Sequence, residues 1–149
     1  MLDGVPNLVA IEPDNHHAEH VGRTANGNQF FLTTPFDPAH GGYEGCEFVA
    51  LYVFDARGKL VDAVIDSLGP RATMDNERRQ QLYDERLGSL GDGIFCRIEV
   101  APFSVERFGL KFGLVLRVPE DEDDIWAVEM QPGNYMAFFD PWDSGDYDT

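Results

Sequence analysis

The sequence predicts an α+β fold, in which a single antiparallel sheet of about six to eight strands, joined mainly by hairpins, carries one amphipathic helix on a face. Several segments alternate apolar and polar residues, as half-buried strands do. Two short segments are typical of tight turns, and one segment has helical periodicity. With 149 residues and 43% hydrophobic content, the chain is long enough to bury a core, so we expect one domain over residues 1–149.

The N-terminal third begins with few periodic apolar positions. We expect residues 1–19 to form an irregular arm that includes one short strand around 8–11. Asn26-Gly27-Asn28 then lies between two candidate strands, 20–25 and 29–33. Because Asn-Gly tolerates the positive φ angles of a tight turn, this pattern predicts a β-hairpin. A loop rich in Pro and Gly follows over residues 35–45, and its length makes it a functional candidate.

The centre of the chain contains an unbroken apolar run from Phe48 to Phe54, which predicts a strand covered on both faces. Asp55-Ala56-Arg57-Gly58 has Asp and Gly at the first and fourth positions, as a type I turn prefers. Residues 60–66 return as its partner strand. The sequence therefore predicts a second hairpin here.

One helix is predicted after this hairpin. Thr73 can cap its N-terminus, the helix runs to about Leu90, and Gly91 can adopt the left-handed conformation that ends it. Its apolar stripe is narrow and consists of Leu82, Tyr83, Leu87 and Leu90. The other positions are mostly charged, so the helix should lie on the surface with a small buried face.

Four further strands are predicted in the second half. Apolar residues recur at every second position over 94–100, which places Ile94 and Cys96 on the buried side of a strand. The same alternation over 108–116 places Phe108 on the buried side of another. Residues 125–130 and 135–139 continue the sheet. Eight apolar residues are predicted to be buried: Phe48, Val49, Leu51, Val53, Ile98, Phe112, Leu114 and Val128.

Charge excludes several classes of partner. The chain has 27 Asp plus Glu against 11 Lys plus Arg, which gives a net charge of −16. Nucleic acids and anionic membranes are bound mainly through Lys and Arg, so neither is an expected partner. The first residues lack a basic, apolar leader, no apolar run reaches membrane-spanning length, and only two cysteines occur. These features predict a cytoplasmic protein.

Four segments of the chain resemble a known family. Val21-Gly22-Arg23-Thr24-Ala25-Asn26-Gly27, the hairpin 52–58, the stretch 112–115 and the ending 140–149, with its Pro-Trp-Asp and Tyr-Asp-Thr, are similar to small bacterial proteins often labelled "formate hydrogenlyase regulatory protein". The resemblance covers about Val21 to Thr149. It implies no catalytic residues, and this chain has no motif that binds nickel, iron–sulfur clusters or DNA. It does imply that the acidic, aromatic ending belongs to the domain.

Candidate metal and catalytic residues are few. His16, His17 and His20 could bind zinc with Glu19 if 16–20 were helical, but no second group of ligands follows at suitable spacing, so a solvated surface cluster is the preferred interpretation. His40 and Cys46 could form a nucleophilic pair, although a cysteine beside a strand is usually a small apolar residue. We therefore predict no metal site, no cofactor and no catalytic activity.

The C-terminal segment 120–149 is the most distinctive part of the sequence, with ten acids and no Lys or Arg. Its run Glu120–Asp124 is expected to form a solvated loop. Its end interleaves acids with aromatic residues, and we expect this end to bind a basic protein partner as an inhibitory or regulatory module, in the way immunity proteins do. The predicted partner-binding residues are Asp140, Trp142, Asp143, Asp146, Tyr147 and Asp148.

Two alternatives remain open beside that interpretation. The 35–46 loop could form a small-molecule site or the active site of an enzyme, or the acids could serve solubility alone. The sequence does not indicate an oligomeric state.

Overall fold

The computed structural model describes residues 6–13, 18–133, 136–139, 142 and 145–146, and the strands within them form three antiparallel sheets. The α+β class is confirmed, but the predicted single sheet is wrong. The reason is that both faces of the central strands are apolar, and one helix with a narrow apolar stripe covers only part of one face. A second sheet covers the other face.

The largest sheet has six strands with the long strand β5 near its centre. Its strands are β2 (His20–Thr24), β3 (Gln29–Thr33), β4 (Phe36–Asp37), β5 (Cys46–Phe54), β6 (Leu60–Gly69) and β7 (Gly93–Phe95). On one side β5 pairs with β6, and on the other it pairs with β3 and, at its start, with β4. Strand β2 follows β3, and β7 lies at the edge beside β2.

The second sheet has five strands in the order β13, β12, β11, β10, β9. These strands are β9 (Phe103–Arg107), β10 (Leu110–Arg117), β11 (Ala127–Gln131), β12 (Ala137–Phe138) and β13 (Gly145–Asp146). A separate pair of strands, β1 (Val9–Ile11) and β8 (Ile98–Val100), completes the structure. The strands predicted at 125–130 and 135–139 are therefore present with shifted or shorter bounds.

The main core lies between the two large sheets. It combines Phe48 and Tyr52 of β5 with Phe112 of β10 and Val128 of β11, and the β1 and β8 pair contributes Ile11 and Ile98 among others. Seven of the eight predicted core residues are buried, and the exception, Val53, is only half-buried because it lies at the margin of the helix-covered face. A smaller core on the opposite face of β3 and β5 packs against the helix.

The helix α1 spans Asn76–Ser89, which is shorter at its start than predicted. Asp75, not Thr73, is the N-cap, because its carboxylate accepts hydrogen bonds from the amides of Glu77 and Arg78 at 3.0 and 3.2 Å. Thr73 instead ends a short 3-10 helix, Arg71–Thr73. Gly91 has a φ of +67° and ends the helix as predicted.

Both predicted hairpins are confirmed. In the first, Gly27 has a φ of +89° and donates its amide to the carbonyl of Thr24 at 3.0 Å. In the second, the amide of Gly58 donates to the carbonyl of Asp55 at 3.0 Å. Each turn therefore forms where the local sequence favours it.

Two predicted strands differ in the structure: the one over 94–100 is divided, and the one over 108–116 begins later, at Leu110. The chain bends at Cys96 and Arg97, so β7 and β8 belong to different sheets, and Ile94 is 63% exposed instead of buried. Cys96 is likewise only half-buried. Phe108 lies outside the strand that follows, in the two-residue turn between β9 and β10, with a φ of 55°.

Candidate binding surfaces

Most of the predicted C-terminal site falls outside the described residues. Asp140, Asp143, Tyr147 and Asp148 are not described, and Asp146 is described only through its backbone in β13. Trp142 is half-buried and packs against the main core, and its carbonyl accepts a hydrogen bond from the amide of Ala10 at 2.8 Å. Trp142 thus connects the C-terminal segment to β1, while partner binding by these residues stays a prediction.

The histidine cluster has one described member. His16 and His17 lie outside the described residues, whereas His20 begins β2 and so cannot share a helical face with them. The His20 Nδ1 atom lies 2.5 Å from the Tyr83 hydroxyl oxygen. Within the residues that the structure describes, no group of three or more His, Cys, Asp or Glu side chains is placed to hold a metal ion.

His40 and Cys46 have different partners in the structure. The His40 ring lies against the ring of Tyr43, with centroids 5.4 Å apart. The Cys46 sulfur lies 3.2 Å from the hydroxyl oxygen of Ser67. The described contacts therefore do not join the imidazole to the thiol as a nucleophilic pair would require.

The 35–46 loop does border a cavity of about 250 Å³. An ion pair lies in its lining, with Arg71 3.0 Å from Glu47, but the Arg71 side chain is 75% exposed. Beside it, the Tyr43 hydroxyl donates to the Asp37 carboxylate at 2.8 Å, which is the main reason that the pKa of Tyr43 rises to about 12. A hydrated ion pair orients a small ligand weakly, so this cavity gives little support to the alternative of a small-molecule site.

A second surface lies at the turn between β10 and β11, which we call the acidic loop (residues 118–125). Two of its acids hold the loop together. Asp121 accepts hydrogen bonds from the amides of Asp123 and Asp124, each at 3.0 Å. Asp124 accepts from the amides of Glu120 and Ile125, and these two bonds hold its pKa below the usual range. These two carboxylates are thus part of the loop's structure.

The other three acids of the acidic loop face solvent. Glu120, Glu122 and Asp123 are exposed, and their carboxylates make no ion pair with any residue in the described ranges. Val118 and Ile125, at the two ends of the loop, are 61% and 57% exposed. The acidic loop therefore presents unpaired negative charge between two apolar side chains.

A third surface surrounds β7, at the edge of the six-stranded sheet. The ring centroid of Phe95 lies 5.1 Å from that of His20 and 6.2 Å from that of Phe30, and His20 in turn packs edge-on against Tyr83 at 5.3 Å. Burial, together with the nearby charge of Glu19, raises the pKa of Tyr83 to about 12. We call His20, Tyr83 and Phe95 the edge cluster.

The sequence analysis identified the acids of the acidic loop. It missed the exposed side chains of Val118 and Ile125, and it missed the edge cluster. Ile125 directly follows the acidic run and Val118 lies two residues before it, and that spacing was the available signal. The edge cluster had no comparable signal, because it combines residues far apart in sequence.

In the part of the chain that the structure describes, no helix is both long and apolar enough to cross a membrane. The resemblance to the family labelled as formate hydrogenlyase regulators stays a prediction. Compared with known protein families, curated proteins and solved structures, the chain matches none.

Proposed function

We propose that the protein is a non-catalytic, cytoplasmic binding module that engages a basic protein partner, as an inhibitor or regulator, through its acidic C-terminal segment, residues 120–149. The observation that carries this proposal is the acidic loop, in which Glu120, Glu122 and Asp123 are unpaired and lie between the exposed side chains of Val118 and Ile125. The predicted partner-binding residues at 140–148 belong to the same acidic segment of the sequence.

The two kinds of side chain would contribute differently to such a complex. Unpaired carboxylates attract a basic partner over about 10 Å at moderate ionic strength, which raises the association rate more than the final affinity. Apolar side chains at the contact lose their hydration on binding and slow dissociation. A net charge of −16 strengthens the first effect over the whole molecule.

The test begins with capture of binding proteins by the full chain at low salt, followed by kinetics with the purified partner. Neutralising the three unpaired acids, in the variant Glu120→Gln, Glu122→Gln, Asp123→Asn, should lower the association rate about tenfold at low ionic strength. The dependence of that rate on salt should become weaker. Val118→Ser should instead raise the dissociation rate.

A matched control removes equal charge elsewhere. Glu44, Glu85 and Glu106 are exposed and lie outside the acidic loop, so their triple substitution by Gln should change the association rate far less. Equal slowing by both triple variants would mean that net charge alone acts, without a defined surface. Unchanged kinetics in the acidic-loop variant would exclude that loop as the binding surface.

A further inference from the structure

The outer edge of β7 has backbone groups that point away from its neighbour. The amide of Cys96 donates to the carbonyl of Val21, and the amide of Ala25 donates to the carbonyl of Asp92, each at 3.0 Å. Hydrogen-bonded and non-bonded positions alternate along an antiparallel pair. Gly93 and Phe95 occupy the intervening positions, so their amides and carbonyls face the open edge instead of β2.

The side chains of β7 do not protect this edge. Edge strands are usually protected by short length, charged residues, proline or a bulge. Strand β7 is short, with three residues, but its sequence, Gly-Ile-Phe, contains neither a charge nor a proline. Ile94 is 63% exposed and Phe95 is 58% exposed, on opposite faces of the strand. An added strand could therefore pair with the backbone groups of Gly93 and Phe95, and it would contact one apolar side chain on each face of the sheet.

The opposite edge of the same sheet, at β6, carries charged side chains. Strand β6 carries Asp62 and Asp66, and Asp66 accepts two hydrogen bonds from Arg86 of α1 at 3.0 and 3.1 Å. Arg86 of α1 thus pairs with one of the two charges that β6 carries. Strand β7 carries no charged residue, and within the described residues no strand pairs with its outer side.

Charges at the two ends of β7 indicate the chemistry of its partner. Asp92 directly precedes β7, and Glu19 lies near the edge cluster, where its charge acts on Tyr83. Arg97 follows β7, but it pairs with both Glu12 at 3.4 Å and Glu99 at 3.3 Å. Arg23 of β2 lies opposite Ile94, at the centre of β7, so the negative charges act at the ends of the strand. A strand that is apolar in its centre and basic at both ends complements this arrangement.

We propose that the β7 edge binds an extended segment of a basic partner as an additional antiparallel or parallel strand, with an apolar side chain of that segment packed on the edge cluster. This rests on the proposed function for the charge of the partner, although it uses a surface separate from the acidic loop. A second copy of this chain is a poorer occupant, because two copies at −16 each repel one another.

The experiment uses the full chain and a synthetic peptide, acetyl-Lys-Lys-Val-Phe-Val-Lys-Lys-amide. Hydrogen exchange followed by NMR should show the amides of Gly93 and Phe95 protected at saturating peptide, with little change at Ile94, whose amide already faces β2. The same peptide N-methylated on Phe and on the Lys two residues to either side keeps its charge but lacks the amide donors on the edge that would pair with β7. It should bind at least about tenfold more weakly, as expected for the loss of more than one hydrogen bond.

Protein variants give the matched comparison. Phe95→Pro removes the outward amide and the ring, a change that an edge strand tolerates, and should weaken binding at least about tenfold. Phe108→Asn removes an equally exposed ring, 59% exposed, from a turn of the other sheet and should leave binding unchanged. The acidic-loop triple variant should also retain peptide binding, because the two proposals use separate surfaces. The β7 edge can therefore fail as a binding site while the acidic loop is supported, and the reverse.

Three results would overturn the proposal. The first is that the peptide does not bind, and the second is that its N-methylated form binds as tightly, which would indicate attraction by charge alone. The third is that the chain forms a dimer in sedimentation experiments which Phe95→Pro abolishes, because the edge would then be occupied by a second copy.

Discussion

The two faces of the six-stranded sheet are covered in different ways. The inner face packs against strands β9 to β12 of the five-stranded sheet, and its rings contact those of the opposite sheet directly. The centroids of Phe48 and Phe112 lie 4.9 Å apart, and those of Tyr52 and Phe103 also lie 4.9 Å apart, in edge-on geometry. Edge-on aromatic pairs add specific attraction to the burial of their surface. The inner face is therefore where we expect most of the stability to reside.

The outer face has a thinner cover. Only Leu82 of α1 is buried there, and Tyr83, Leu87 and Leu90 pack in part against the sheet. Phe95 of β7 lies near Phe30 on this same face and stays 58% exposed. This contrast teaches that one sheet can have a closed face that stabilises the fold and a partly open face that leaves apolar groups available for binding.

The largest expected effect is on the inner face. Phe112→Ala should reduce the free energy of unfolding by about 3–5 kcal/mol, because it leaves a cavity between two sheets whose backbones cannot move together freely. Urea denaturation followed by tryptophan fluorescence measures the change. Phe108→Asn is the control and should cost little, since Phe108 is exposed and its positive φ suits Asn. A loss below about 1 kcal/mol for Phe112→Ala would contradict the assignment of the main core.

On the outer face, Leu51→Ala should cost less. Leu51 is buried beneath the helix, and leucine truncations in cores cost about 2–5 kcal/mol. We expect a value near the low end, because α1 can shift into the space more easily than a whole sheet can. The same urea titration compares the two variants. If Leu51→Ala proved as costly as Phe112→Ala, the distinction between the two faces would fail.

The sequence predicted the features that depend on local chemistry. The turns at Asn26-Gly27 and Asp55 to Gly58 were found because their residues favour those backbone angles directly. The central strand was found because its apolar run is unbroken. Most of the core followed from these assignments, since alternation fixes which residues of a strand share a face.

The sequence could not predict how the strands divide among sheets. Alternation continues through Phe108 even though the chain turns there, since a two-residue turn does not interrupt period two. The bend at Cys96 separates β7 from β8 without any proline or glycine to mark it. The edge cluster depends on that separation and on pairing between residues 63 positions apart, so no local pattern could reveal it.

A third prediction concerns the turn between β5 and β6. Residues of these two strands pack both in the core between the sheets and in the core beneath the helix. The backbone amide of Lys59, joined by that of Arg57, donates to the Asp55 carboxylate and lowers its pKa below the usual 3.8. A carboxyl whose pKa is lower in the folded state stabilises the fold above its unfolded pKa and loses that contribution as pH falls through its folded pKa.

Asp55→Asn should therefore be less stable than the natural chain at pH 7, by less than Leu51→Ala, and the difference should vanish once pH falls below the folded pKa. Thermal unfolding measured from neutral pH down into the acid range tests this. Glu106→Gln, which removes an exposed acid of β9, controls for the loss of one negative charge. A difference that persisted unchanged into acid would mean that the charge of Asp55 has no part in holding the turn.

The smallest effect on stability is expected at the open edge. Phe95→Ser should change the free energy of unfolding by no more than about 0.5 kcal/mol, because the ring is 58% exposed and keeps much of its hydration in the folded state. The matched comparison is Phe54→Ser, which places a hydroxyl in the fully buried inner core and should be strongly destabilising. If Phe95→Ser lowered the free energy of unfolding as much as a substitution within the helix-covered core, the ring of Phe95 would be part of that core. A nearly neutral result, combined with weaker peptide binding, would instead mean that this aromatic ring contributes to recognition and little to the fold.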